Sequence, residues 1–157
     1  MRNLNWTVDL PALDVSPTLE ALEIGAFAHD MRRALAHQPR SIPPKYFYDA
    51  KGSALFDRIC ELPEYYPTRT ELGILSDRAA DIAAQIGVDA EIVEFGAGSL
   101  TKVRLLLDAL ESPRRYLPID ISGEHLAAAA NRLRTDYPSL DVEPIVADYT
   151  RPFELPP

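Results

Sequence analysis

A single cysteine, Cys60, stands in the 157 residues. A lone thiol closes no internal disulfide and builds no cysteine cluster for a metal, and it fits a reducing compartment. Basic residues are also sparse, with 16 Lys and Arg against 24 Asp and Glu and a formal net charge of −8. Nucleic acid and anionic membranes both ask for a basic surface, so neither is expected as a partner. No run approaches the roughly 20 apolar residues of a membrane span. The opening MRNLNWTVDLPALD has no apolar segment after its arginine and soon turns acidic, unlike a signal peptide. The cytoplasm is the expected location. What is present, 46% hydrophobic and 25% charged residues, suffices for one domain with a proper core.

Along the chain the texture changes once. Residues 1–16 read as irregular, and Ser16-Pro17 reads as a helix start, a serine cap followed by proline in the first turn. Leu19, Leu22, Ala26, Met31 and Leu35 then recur at helical spacing up to His37, and Pro39 and Pro43-Pro44 close that helix. An aromatic, proline-broken block follows from Pro43 to Glu71, with a short helix expected over Ser53–Glu61. A longer helix is expected from Thr68 to Ile86, on a stripe of Leu72, Leu75, Ala79, Ile82 and Ile86, with Gly87 ending it. His29, His37 and His125 have no metal-ligand spacing, and no metal site is expected.

From Glu91 the pattern becomes strand and helix in alternation. EIVEF is a short strand, GAGSLTK a glycine turn and Val103–Leu110 a helix. YLPID at 116–120 is a second strand, Gly123–Tyr137 an alanine-rich helix, and VEPIVAD at 142–148 a third strand. Such alternation predicts a parallel sheet with right-handed crossovers. Two regions are therefore expected: 1–88, helical and aromatic-rich, forming a substrate-side cap, and 89–157, the first half of a nucleotide-binding sheet. A doubly wound sheet continues on the other side of its first strand, where its ligand sits. With the sequence ending at Pro157, the first strand would be an apolar edge. The expectation is a fragment or one part of a split protein, prone to self-associate through that edge.

The chemistry-bearing residues cluster at the strand ends. In Glu94-Phe95-Gly96-Ala97-Gly98 the glycines let a ligand approach the backbone, and the following helix offers free amides. Thr101 stands where the nicotinamide pattern GxGxxG needs its third glycine, so that pattern fails. What stands instead is acid-x-Gly-x-Gly. Glu94 would repel a pyrophosphate but suits a ligand carrying an ammonium and a sulfonium; the alternative is an ordinary strand-to-helix turn. Asp120 can accept from both hydroxyls of a ribose, or cap the next helix, although Ser122 is the better cap. Asp148 can accept from an adenine amino group with Tyr149 against the ring. Lys102, a cation in the first helical turn, is opposed by the helix dipole and calls for an anionic partner such as a methionine carboxylate; otherwise it is a solvent-exposed lysine. Three acids at three successive strand ends, the first beside the glycine turn, point to a nucleoside with a cationic tail, S-adenosylmethionine.

Tyr46, Phe47, Tyr48, Tyr65 and Tyr66 are too concentrated for a plain loop. They suit either a small-molecule pocket that holds a cation, or a hydrophobic cap packed on the sheet.

At these residues the chain resembles the histidine-specific S-adenosylmethionine-dependent Nα-methyltransferases of ergothioneine biosynthesis. PPKYFYDAKGSALFDRICELPEYYPTRTE resembles that family's N-terminal signature, EFGAGSLTKVRLLLDAL its cofactor loop, and YLPIDIS and VADY follow in place. The resemblance runs from about residue 25 to the end and covers only the N-terminal half of the family's members. It implies a Rossmann-like class I methyltransferase fold, truncated after the third strand and preceded by a helical, aromatic cap. It also implies that Gly96, Lys102, Asp120, Asp148 and Tyr149 contact the cofactor, to which the residue reading adds Glu94 and Gly98. Tyr48 and Tyr65, with Tyr66 as neighbour, are implied to hold L-histidine. Tyr149 stands where phenylalanine is common in the family, a change that preserves stacking. The remaining substrate contacts belong to the family's second half.

The implied reaction is methylation of the histidine α-amine up to the trimethylated betaine, hercynine, by positioning a neutral amine in line with the methyl group. No covalent intermediate is needed, and no residue here is singled out as catalytic. The chain by itself is expected to bind cofactor weakly and not to turn over. The alternatives are a family member acting on another amine or amino acid, and a non-catalytic cofactor-binding remnant associating with a separate C-terminal half.

Overall fold

The computed structural model describes residues 19–157, with side-chain surroundings from Gly25 onward. The expected serine cap at Ser16 and the irregular stretch 1–16 lie outside the described residues. The chain divides at Pro43/Pro44 into two compact units. In the first, α1 runs over Leu19–Ala36, where the apolar spacing predicts a helix.

The second unit opens with a single 3-10 turn, Pro44–Phe47, in what reads from sequence as a loop. Helix α2, Ala50–Cys60, starts earlier than expected because Asp49 caps it, its side chain accepting from the Gly52 amide at 2.7 Å. Gly52 is required there: a Cβ would stand 1.7 Å from the Phe47 carbonyl oxygen. Helix α3, Tyr66–Ile86, takes in Pro67 rather than starting after it, since proline in a first turn forfeits no helical hydrogen bond. The predicted stripe holds at Leu72, Leu75, Ala79 and Ile82, joined by buried Ala83, whereas Ile86 is exposed.

Strands β1, Glu91–Phe95, and β2, Arg115–Asp120, pair in parallel, with α4, Val103–Leu107, between them in sequence. Helix α4 is shorter than the expected Val103–Leu110. Its end tightens into turns in which Ala109 and Leu110 both donate to the Leu106 carbonyl, and Leu110 remains buried. Helix α5, Gly123–Asp136, packs on β2 and the strands beyond it.

The third strand departs from expectation. It is two short pieces, β3, Asp141–Val142, and β4, Ile145–Val146, both parallel to β2 in one continuous register. The amides of Asp141, Glu143 and Ala147 donate to Arg114, Tyr116 and Asp120, so even-numbered residues of this stretch of β2 face the third strand. Pro118 belongs to that set and has no amide proton to donate, which removes a rung and interrupts the strand at Glu143-Pro144. Asp148 consequently lies beyond the last paired residue rather than at a strand's end.

The sheet order is β1-β2-β3, with β4 also on β2. β2 is the centre: Tyr116, Leu117 and Ile119 are buried on both its faces, as in a strand covered on either side. Tyr116 joins Leu100, Val103 and Leu107 from the α4 side, and Leu126, Ala130 and Leu133 from α5, in one core. β1 is different. Among the described residues it pairs only with β2, and Val93 and Phe95 are 37% and 57% exposed. This helix-covered parallel sheet is Rossmann-like in arrangement.

Candidate functional site

The carboxyl ends of β1 and β2 carry the glycine turn and Asp120, the edge where open parallel sheets take ligands. Gly96 and Gly98 adopt φ of +69° and +57°, a region that glycine enters freely. The amides of Gly96 and Ala97 donate to the Ile119 carbonyl at 2.8 and 3.1 Å, which lays the turn across the end of β2. Leu100 follows, also left-handed at φ +57°, with its side chain only 1% exposed. Burial of that side chain in the core offsets the strain, about 1–2 kcal/mol for a non-glycine residue.

Asp120 is buried and already engaged. Its two carboxylate oxygens accept the amides of Gly98, at 3.0 Å, and Ser122, at 2.9 Å. A carboxylate has about four acceptor positions, so two remain for hydroxyl donors. Ser122 occupies the cap position of α5 but makes no side-chain cap bond. Its hydroxyl instead accepts from Ser53 on α2 at 2.9 Å, in a buried contact. A polar chain therefore links the aromatic block to the glycine turn, from Ser53 to Ser122 to Asp120 to Gly98. Neither Ser53 nor the Ser122 contact is legible from sequence, because the serines are 69 residues apart.

Glu94 faces the core side of β1 and accepts the Tyr116 hydroxyl. Burial holds its carboxyl above the usual glutamate range, against the opposing pull of the Tyr116 hydrogen bond and the nearby Lys102 charge. Burial and the Glu94 charge together push the Tyr116 phenol strongly up. Lys102 has helical backbone angles at the cap position of α4, and its ammonium meets both carboxylate oxygens of Glu71, at 2.9 and 3.1 Å. Glu71, on α3, is the anionic partner that the lysine calls for, and sequence reasoning passed over it although it ends the aromatic block.

Asp148 lies beside the same edge. It accepts from the Thr150 hydroxyl and amide and from the Lys45 ammonium, the latter at 3.1 Å. These contacts, Thr150 foremost, hold its carboxyl below the usual aspartate range. The Tyr149 ring meets Phe95 edge-on at 5.8 Å, and its hydroxyl stands 3.2 Å from where a Cβ on Gly96 would be. Tyr149 thus closes over the glycine turn.

In the aromatic block Tyr48 and Tyr65 are joined through Phe56 rather than directly. Phe56 meets Tyr48 at 6.1 Å and Tyr65 at 5.9 Å, both edge-on. Phe56 is a residue that sequence reasoning left out; its place in α2, between two tyrosine-bearing turns, is a tertiary fact. Arg69 fixes the Tyr65 turn, donating to the carbonyls of Leu62, Pro63 and Tyr65. Phe47, Tyr48, Leu55, Phe56 and Ile59 line an apolar depression of about 290 Å³. Tyr66 points outward, 66% exposed. His125 approaches Asp57 at 3.5 Å across α5 and α2. Among the described residues no group of His, Cys, Asp and Glu is arranged to hold a metal ion, and no helix is long and apolar enough to cross a membrane.

Residues 27–157 match the profile of histidine-specific, SAM-dependent methyltransferases. The histidine N-alpha-methyltransferase of Mycolicibacterium smegmatis is 45% identical over 127 residues, which is 79% of this chain and 39% of that protein. Ergothioneine biosynthesis protein 1 of Neurospora crassa is 42% identical over 91 residues, 56% of this chain and 10% of that protein. A 4-dimethylallyltryptophan N-methyltransferase of Claviceps purpurea is 31% identical over 127 residues, 79% of this chain and 37% of its own length. The chain therefore spans well under half the length of these relatives. With the family's profile matched over most of its residues, on a Rossmann-like sheet with a braced glycine turn, the chain belongs to the histidine-specific, SAM-dependent methyltransferase family.

Proposed function

We propose that the chain provides the S-adenosylmethionine site, and part of the amine site, of an Nα-methyltransferase acting on L-histidine. The observation that carries this reading is the glycine turn tied to Asp120 at the carboxyl ends of two parallel strands, with Glu94 and Lys102 beside it. These residues fit the cofactor. Glu94 is a carboxylate disfavoured by its own burial, and a sulfonium or ammonium nearby relieves it. Space beside Gly98 is open, since a Cβ there would touch nothing within 4 Å.

In this reading Gly96 and Gly98 admit the ligand to the backbone, and Asp120 receives the ribose hydroxyls. Asp148 and Tyr149 take the adenine, and Lys102 the methionine carboxylate. Residues 89–157 are the cofactor half, and 1–88 the substrate-side cap in which Tyr48 and Tyr65 hold histidine. S-adenosylmethionine supplies, when bound, an electrophilic methyl on a positively charged sulfur. The protein's part is to orient a neutral amine toward it and to keep water out. The cytoplasm is the setting we propose. The open edge of β1 is where a further strand or a second copy would pair.

The histidine reading is favoured over another amine by the 45% identity to a histidine N-alpha-methyltransferase against 31% to the tryptophan-derivative enzyme. Titration calorimetry with S-adenosylhomocysteine tests the cofactor site on wild type and Asp120→Asn. Binding by wild type, weakened about tenfold or more in the variant, is the expected result, since one charge-assisted acceptor is worth about 1.5–3 kcal/mol. Absence of binding by folded wild type would overturn the reading. Substrate choice is read by transfer of labelled methyl to L-histidine in preference to L-tryptophan, using the chain together with the rest of its protein.

A further inference from the structure

Lys102 and Glu71 come from different elements, 31 residues apart, yet meet through both carboxylate oxygens at 2.9 and 3.1 Å. The pair sits at the rim of the glycine turn and is open to solvent, with side chains 35% and 51% exposed. An ion pair so exposed is worth only about 0–1 kcal/mol, so exchanging it for other partners costs little. It is also not isolated. Glu71 and Lys102 both lie close enough to Glu94 to act on its carboxyl, with opposite effects. One cation and two carboxylates therefore share one side of the turn.

An α-amino acid zwitterion presents this pattern in reverse, with a carboxylate and an ammonium on one carbon. A lysine that receives the carboxylate leaves its glutamate partner free to receive the ammonium. We propose that Glu71 is the second jaw of an amino-acid clamp: it accepts the α-ammonium of the cofactor's methionine tail while Lys102 receives the α-carboxylate. The inference rests on the cofactor reading above and adds to it a residue that binds the ligand's tail and selects for it. A ligand lacking the ammonium, or carrying the nucleoside alone, gains nothing from Glu71.

The test uses titration calorimetry on wild type and Glu71→Gln with two probes, S-adenosylhomocysteine and 5′-methylthioadenosine. They share the adenosine thioether, and only the first has the amino-acid tail. Far-ultraviolet circular dichroism checks that the variant is folded, as expected for a half-exposed side chain. The clamp predicts that Glu71→Gln weakens S-adenosylhomocysteine by about tenfold, the worth of one charge-assisted hydrogen bond, and leaves methylthioadenosine unchanged. Unchanged binding of S-adenosylhomocysteine would overturn the inference. So would tighter binding, which would make Glu71 a competitor for Lys102 rather than a jaw. Wild type that binds both probes equally would sink the clamp and the Lys102 role with it, and leave only the nucleoside part of the cofactor reading standing. Wild type that binds neither would remove the cofactor reading itself.

Discussion

Around Gly98 the backbone is held by the backbone and by one buried carboxylate: Ile119 accepts two amides of the turn, Asp120 accepts a third, and Leu100 is sunk in the core. Around Phe56 the rings are held mostly by one another. Tyr48 and Phe47 are 39% and 59% exposed, and the contacts between rings are edge-on at about 6 Å. The first region is set before any ligand arrives, because directional bonds fix each atom of the turn. The second is a surface whose shape depends on a few backbone contacts beneath it, chiefly the Gly52–Phe47 approach and the Arg69 fork. In the proposed reading the braced turn takes the cofactor and the more exposed aromatic wall takes the amine.

The contrast can be broken from either side. Asp120→Ala should have the largest effect, because it strips an acceptor from the amides of both Gly98 and Ser122. Each orphaned amide costs about 1–3 kcal/mol, so a loss of about 4 kcal/mol in denaturant unfolding is expected. A loss under about 1 kcal/mol would show that the turn stands without this brace. Gly52→Ala comes next, at about 3 kcal/mol, since its methyl cannot coexist with the Phe47 carbonyl and the 3-10 turn or α2 must shift. Tyrosine fluorescence should then change while S-adenosylhomocysteine binding persists; loss of both together would mean that the two regions are one mechanical unit.

Glu94→Gln should have the smallest effect and the opposite sign. Because the Glu94 carboxyl is raised in the fold, its contribution is fully present below the unfolded value near 4.5 and is lost as pH rises through the folded value. Above the unfolded value the buried acid therefore carries a cost that glutamine does not, and glutamine still accepts the Tyr116 hydroxyl. The variant should melt above wild type at pH 7, with the gap closing as pH falls below 4.5. A gap independent of pH would exclude the burial effect.

Much of this was legible in the chain itself. Strand and helix alternation, the helix stripes and the glycine turn are written in local periodicity and in residues with special backbone freedom, so they survive without knowledge of distant neighbours. The resemblance to histidine-specific methyltransferases lies in such contiguous blocks. The third strand reads as one run over 142–148, whereas Pro118 on the neighbouring strand removes a rung and divides it at Glu143-Pro144. Helix α2 begins at Ala50 rather than Ser53 because Asp49 caps it.

The amino-acid sequence alone determined the parallel sheet, the acid-x-Gly-x-Gly turn and the concentration of tyrosines, since each depends on residues within a few positions of one another. Only the tertiary structure decided which groups meet. Lys102 finds Glu71 across 31 residues, Ser53 finds Ser122 across 69, and Lys45 finds Asp148 across 103. Such pairings follow from how helices and strands stack, and stacking is fixed by burial of the whole core rather than by any one segment.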